Sequence, residues 1–171
     1  LNARRQPYGQ GADLILLNES VGNEVLAFHQ KFPDYRVTPL RKLEFLSQRL
    51  GLGSIHIKDE AQRFGLNAFK GLGGSYAMGK YLAALLERDI NTLSFAELNS
   101  PVIKARIKDI VFVTATDGNH GRGVAWAAEQ LGLRAVVYMP KGSSPVRAQN
   151  IRRHGAECTI TELNYEDRKS T

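Results

Sequence analysis

Two short segments hold the residues whose types and spacing could do chemistry. The first, "GLNAFKGLGG" at 65–74, sets Lys70 among glycines and apolar side chains, with no other charge between Arg63 and Lys80. Desolvation and the positive end of a helix both disfavour an ammonium. The neutral amine they favour is the form that attacks a carbonyl. Gly71, Gly73 and Gly74 would leave the backbone open to a flat ligand, which suits a Schiff base. Taken alone, Lys70 reads first as an ordinary loop lysine at a helix start, and it is the surroundings that shift the balance. The second segment, "TATDGNHGRG" at 114–123, joins an apolar run to a helical pattern. Ligands of open α/β sheets bind at such strand ends, and backbone N–H groups at a helix start favour a carboxylate or phosphate. A glycine-dependent turn would explain Gly118, Gly121 and Gly123. It leaves Asp117, Asn119 and His120 unexplained, although Asp117 by itself could be a simple helix cap.

Two nucleotide-binding readings fail on spacing. A P-loop needs GxxxxGK[ST], whereas Phe69 precedes Lys70 and Gly71 follows it. The second loop reads G-x-x-G-x-G rather than G-x-G-x-x-G, and the next strand ends "VVYMPKG" without the acidic residue that a ribose requires.

The elements that must position these loops follow from pattern. "VTPLRKLEFLSQRLG" predicts a helix with Thr38 as cap, Pro39 in its first turn, Leu40, Leu43, Leu46 and Leu50 on one face, and Gly51 at its end. "SIHIK" predicts a short strand. "SYAMGKYLAALLER" predicts a helix capped by Ser75 and buried around much of its circumference. Residues 91–109 are more polar and read as a crossover between domains. "IVFVTAT" predicts a strand covered on both faces, "HGRGVAWAAEQL" its helix ended by Gly132, and "RAVVYM" the next strand ended by Pro140. "SPVRAQNIRRH" predicts a helix capped by Ser144 with Pro145 in its first turn, and "AECTIT" a third strand. Right-handed connections would make these a small parallel sheet. A further helix is expected to begin in "NYEDRKST".

Taken together, the loops resemble a known family. Fold-type II pyridoxal-phosphate enzymes carry K-x-E…P-[ST]-G-S-F-K-x-R-G, then [ST]-[ST/A]-G-N-H-[AG]-x-G, then M-P…K…G-A-E. This chain reads "KDEAQRFGLNAFKGLGG", "TDGNHGRG" and "MPKGSSPVRAQNIRRHGAE" in the same order, across roughly residues 35–160. "GLNAFK" in place of "SGSFK", and Asp117 in place of a small residue, are similar to the diaminopropionate ammonia-lyases within that family.

The resemblance implies a three-layer αβα fold with parallel sheets, of the tryptophan synthase β-like kind. Residues 1–90 would belong to the large cofactor domain and residues 91–171 to an incomplete small domain. It implies pyridoxal phosphate held on Lys70 through a Schiff base, with Asn119 near the cofactor's ring oxygen. Lys70, once freed, would act as a base at the substrate's α-carbon, and the β-amino group would leave as ammonia. The remaining enamine would hydrolyse to pyruvate and a second ammonia. Thr116, Asp117, Gly118 and His120 would bind the amino-acid substrate, their N–H groups holding its carboxylate. Two tasks stay open for Asp117: binding the β-ammonium, or serving as a second base on the face opposite Lys70. His120 is either a proton-transfer aid or a helix cap. The family's phosphate loop and pyridine-nitrogen partner are expected further along than Thr171, so the chain reads as an N-terminal portion, inactive by itself. A serine or threonine dehydratase, a β-replacing synthase, and a non-catalytic domain that binds a phosphorylated ligand are the other readings.

The totals exclude other classes. The net charge of +6 comes from scattered basic residues with no basic block, so nucleic acid is not expected as a partner. No apolar run approaches a membrane span, and "LNARRQPYGQ" has no secretory h-region. Cys158 is the single cysteine and reads as a small buried hydrophobe, and the four histidines lack metal-ligand spacing. A cytoplasmic enzyme follows, homodimeric by the resemblance.

Overall fold

The computed structural model describes residues 18–163. Helix α1 (Glu19–Gln30) starts at Asn18, whose side chain accepts from the Val21 amide, and it buries Phe28 and His29. Strand β1 (Leu40–Lys42) pairs antiparallel with β2 (His56–Lys58), with helix α2 (Glu44–Arg49) between them. The single helix expected over 37–51 is therefore a strand and a shorter helix. Its backbone groups are satisfied across the hairpin instead, and Arg41 meets Asp59 at 2.8 Å. Thr38 is no cap: it is buried, with its hydroxyl bonded to Glu60 and accepting from Arg63. Leu40, Leu46 and Leu50 are exposed, so their spacing marks no core stripe.

After a 3-10 segment (Glu60–Gly65), helix α3 runs Lys70–Leu85. It begins at Lys70 itself, earlier than expected. Ser75 lies inside it, fully buried, donating to the Gly71 carbonyl at 2.7 Å. Only one face of α3 is covered, since Tyr81 and Leu85 are exposed. Residues 91–109 are less of a polar crossover than expected. They form α4 (Phe95–Leu98) and α5 (Pro101–Ile107), and Leu93, Leu98 and Ile107 join the common core. Reciprocal bonds between Ser94 and Glu97 cap α4.

The second half follows its pattern closely: β3 (Val111–Ala115), α6 (Asn119–Leu131), β4 (Arg134–Met139), α7 (Pro145–Arg152) and β5 (Glu157–Ile160). The strands are parallel in the order β3-β4-β5. Gly132 ends α6 in the left-handed region, φ 65°. Cys158 is buried in β5 as expected. Ser144 takes the N-cap position of α7 without a side-chain capping bond. Strand β3 departs from expectation. It lies at the sheet edge and Val113 is 62% exposed, because no described strand pairs with that edge. The helix expected in "NYEDRKST" lies outside the described residues. Helix α6 is central: it packs on β3 and β4, against α7, and against α3.

Candidate active site

The site is built where the C-terminal end of β3 meets the start of α3. Thr116 continues the sheet, donating its amide to the Tyr138 carbonyl at 2.9 Å, and is 1% exposed. Its hydroxyl oxygen accepts from the amides of Gly118 (3.1 Å) and Gly121 (3.2 Å). Two orphan donors of the turn and the first helical turn are thus satisfied by one buried side chain. The remaining first-turn amides, on Asn119 and His120, have no intrahelical acceptor. A Cβ at Gly121 would lie 2.3 Å from Thr116 Cγ2 and 2.7 Å from Val137 Cγ1, so the loop closes only over a glycine.

Glycine also sets where Lys70 stands. A Cβ at Gly123 would come within 2.8 Å of the Gly71 nitrogen and the Lys70 carbonyl carbon. Its absence lets α6 lie directly against the first turn of α3. A Cβ at Gly71 would meet Leu66 Cδ1 at 2.8 Å and the Trp126 ring at 3.3 Å, so that glycine serves packing. Gly74 faces Val124 at ordinary contact distance, and Gly73 alone of the three faces open space. The expected cleared room is thus filled by packing at Gly71, while Gly73 and Gly74 border the smaller of two neighbouring cavities rather than the one that Lys70 lines. Arg122 ties α6 to the segment that leads into α3, donating to the Leu66 carbonyl at 3.0 Å and to the Gly65 carbonyl at 3.4 Å.

A cavity of about 560 Å³ is lined by Lys70, Thr116, Asp117, Gly118, Asn119, His120 and Arg147. Each residue singled out in the sequence is there. His120 also lines a neighbouring cavity of about 300 Å³ with Gly73, Tyr81 and Val113. Arg147 was not anticipated. It sits in the first turn of α7 and donates to the Asp117 main-chain carbonyl at 3.1 Å. A signal existed: a cation in a helix's first turn opposes the helix dipole, so it needs another reason to be there. Lys70 is exposed, contrary to the expected desolvation, because the described residues leave one side of the cavity open. Its Nζ stands 4.9 Å from the centre of the Phe69 ring.

Behind this wall, His29 supports the first turn of α3. Its ring nitrogens lie 2.8 Å from the Val25 carbonyl and 3.0 Å from both the Leu72 carbonyl and Ser75 Oγ. Burial holds its pKa below the ordinary value, the nearby Arg63 charge adds to this, and the two carbonyls oppose it. No group of three or more metal-ligating side chains occurs among the described residues, and no described helix is long and apolar enough to cross a membrane.

A family model described as pyridoxal-phosphate dependent enzyme matches residues 31–171. The chain belongs to this family. The diaminopropionate ammonia-lyase of Salmonella typhimurium is 77% identical over 166 residues, spanning 97% of this chain and 41% of that protein. The holo crystal structure of diaminopropionate ammonia lyase from Escherichia coli matches with a TM-score of 0.85 at 48% identity, over 91% of this chain and 39% of that one. The same enzyme in complex with an aminoacrylate-PLP azomethine reaction intermediate matches with a TM-score of 0.80 at 48% identity, over 90% and 37%. The chain thus spans about two fifths of the length of these relatives. The α/β architecture is the family's fold-type II one. The residues present fit the family's cofactor: an aldehyde needs an amine, which Lys70 offers, and the cavity volume is in the range of small-molecule sites.

Proposed function

We propose that this chain supplies the catalytic lysine and the substrate loop of an enzyme that eliminates ammonia from 2,3-diaminopropionate, yielding pyruvate and ammonia. The observation that carries this reading is that Lys70 and Asp117 line one cavity, with Asp117 as its sole carboxylate among the described residues. Pyridoxal phosphate, when bound, supplies an electron sink for the α-carbon. Lys70 would hold its aldehyde carbon, and Asn119 would bond its ring oxygen. Once released, Lys70 stays on the wall of the same cavity as a free amine. That amine then takes the proton from the substrate's α-carbon.

The amides of Asn119 and His120 at the start of α6 would hold the substrate carboxylate, since those of Thr116 and Gly118 already have acceptors within the fold. Asp117 answers the substrate's β-ammonium, a group that a hydroxyl substrate lacks. The same carboxylate could serve the opposite face of the α-carbon as a second base, which would let either enantiomer react. His120 remains part of the wall between the two cavities. With this reading go two domain portions (1–90 and 91–171), a homodimer and a cytoplasmic location, as the resemblance implies.

The test is Lys70→Ala in the full-length protein. The variant should lose the absorbance of cofactor bonded to lysine and lose pyruvate formation. Retention of both would overturn the reading, and an anion-binding domain would lose only a charge contact of about 0.3–1 kcal/mol.

A further inference from the structure

We propose that Arg147 is a positioning residue that holds Asp117 on the wall of the cavity by pinning the Asp117–Gly118 peptide. The inference rests on the assignment of Asp117 to the reaction. The peptide unit is planar, and both of its polar ends are held. Its N–H donates to the buried hydroxyl of Thr116 at 3.1 Å, and its C=O accepts from Arg147 Nη1 at 3.1 Å. The Arg147 stem closes over the same unit: a Cβ at Gly118 would lie 3.3 Å from Arg147 Cδ. Gly118 presents little steric barrier to a peptide flip, so these two bonds decide the conformation.

The two anchors belong to different parts of the fold. Thr116 is continuous with the sheet through Tyr138. Arg147 rides on α7, which is held from below by buried Ala148 and Ile151 and by Arg152 donating to the Cys158 carbonyl at 2.6 Å. A peptide flip would turn the Asp117 carbonyl and the Gly118 N–H away from these partners and release the loop, so that Asp117 shifts as a whole and its carboxylate moves with its Cα. A neutral side chain at 147 leaves the carbonyl to water and the flip unopposed.

The test uses the full-length protein loaded with pyridoxal phosphate, with Arg147→Met and Arg147→Lys as variants. Hydrogen exchange of the peptide covering 116–121 should quicken about fivefold in Arg147→Met, as expected for net loss of one solvent-exposed hydrogen bond, with β4 and α7 unchanged. Arg147→Lys, which keeps one donor, should restore part of the protection. In turnover of 2,3-diaminopropionate, Arg147→Met should lower kcat about tenfold with KM moving less than threefold. In an Asp117→Ala background the same change should cost less than threefold more, because a residue that acts through another is not additive with it. Unchanged exchange, a fully multiplicative loss, or a rise in KM alone would overturn the inference, the last by making Arg147 a direct substrate contact. If the exchange result holds and the parent protein does not turn over 2,3-diaminopropionate, the clamp stands and the functional assignment falls.

Discussion

At the scale of single residues, the site depends on a few polar side chains that are satisfied and a few that are left available. Thr116 is the clearest of the first kind. Replacing it with Val keeps the shape but strands the amides of Gly118 and Gly121. Thr116→Val should cost about 1–3 kcal/mol, the usual penalty for a buried donor left unpaired. Chemical denaturation, compared at constant m-value, would measure it. Lys70, Asp117, Asn119 and His120 were legible in the sequence because their chemistry is out of place in a glycine turn. Thr116 was legible only as a ligand-binding residue. Its bonds to Gly118 and Gly121 depend on how the turn folds back, which spacing does not specify. Exposure of Lys70 among the described residues was not legible, since apolar sequence neighbours need not be spatial ones: Leu66 is buried while Phe69 is exposed.

At the scale of elements, the decisive feature is the close approach of α3 and α6. Gly123 permits it against the backbone of Lys70 and Gly71, atoms that cannot rotate away. Gly123→Ala should therefore lower stability by about 1–3 kcal/mol, in the range of core overpacking. It should also reduce activity beyond what the lost stability explains, because it pushes Lys70 away from the 116–120 loop. Activity assayed well below the melting temperature separates the two effects. The parallel β3-β4-β5 series was readable from apolar runs that alternate with capped helices. The segment 37–51 was not. Its leucines fall at helical spacing, yet pairing with His56–Lys58 and the bonds of buried Thr38 and Arg63 with half-buried Glu60 hold its first part extended, leaving only Glu44–Arg49 helical. Such pairing is non-local and leaves no trace in a local period.

At the scale of the whole molecule, one buried and one half-buried polar group link stability to pH. The His29 pKa lies below the ordinary value of about 6.5, so the unfolded chain takes up this proton first as pH falls. Its stability contribution is complete above about pH 6.5 and is lost as pH falls from there towards the folded value. The Glu60 pKa is held below 4.5, chiefly by its hydrogen bond from Arg63. That contribution is present above pH 4.5 and is lost as pH falls through the folded value. Thermal unfolding followed from pH 8 to pH 3 should show both losses, and His29→Gln should remove the upper one alone. The central claim concerns the whole enzyme's choice of substrate. Its most direct test is pyruvate release by the full-length, cofactor-loaded protein from 2,3-diaminopropionate, serine and threonine, with and without Asp117→Ala. The account predicts that diaminopropionate is strongly preferred and that the substitution lowers its turnover about 10²-fold or more. Serine or threonine as the better substrate, with diaminopropionate turnover indifferent to Asp117, would contradict it.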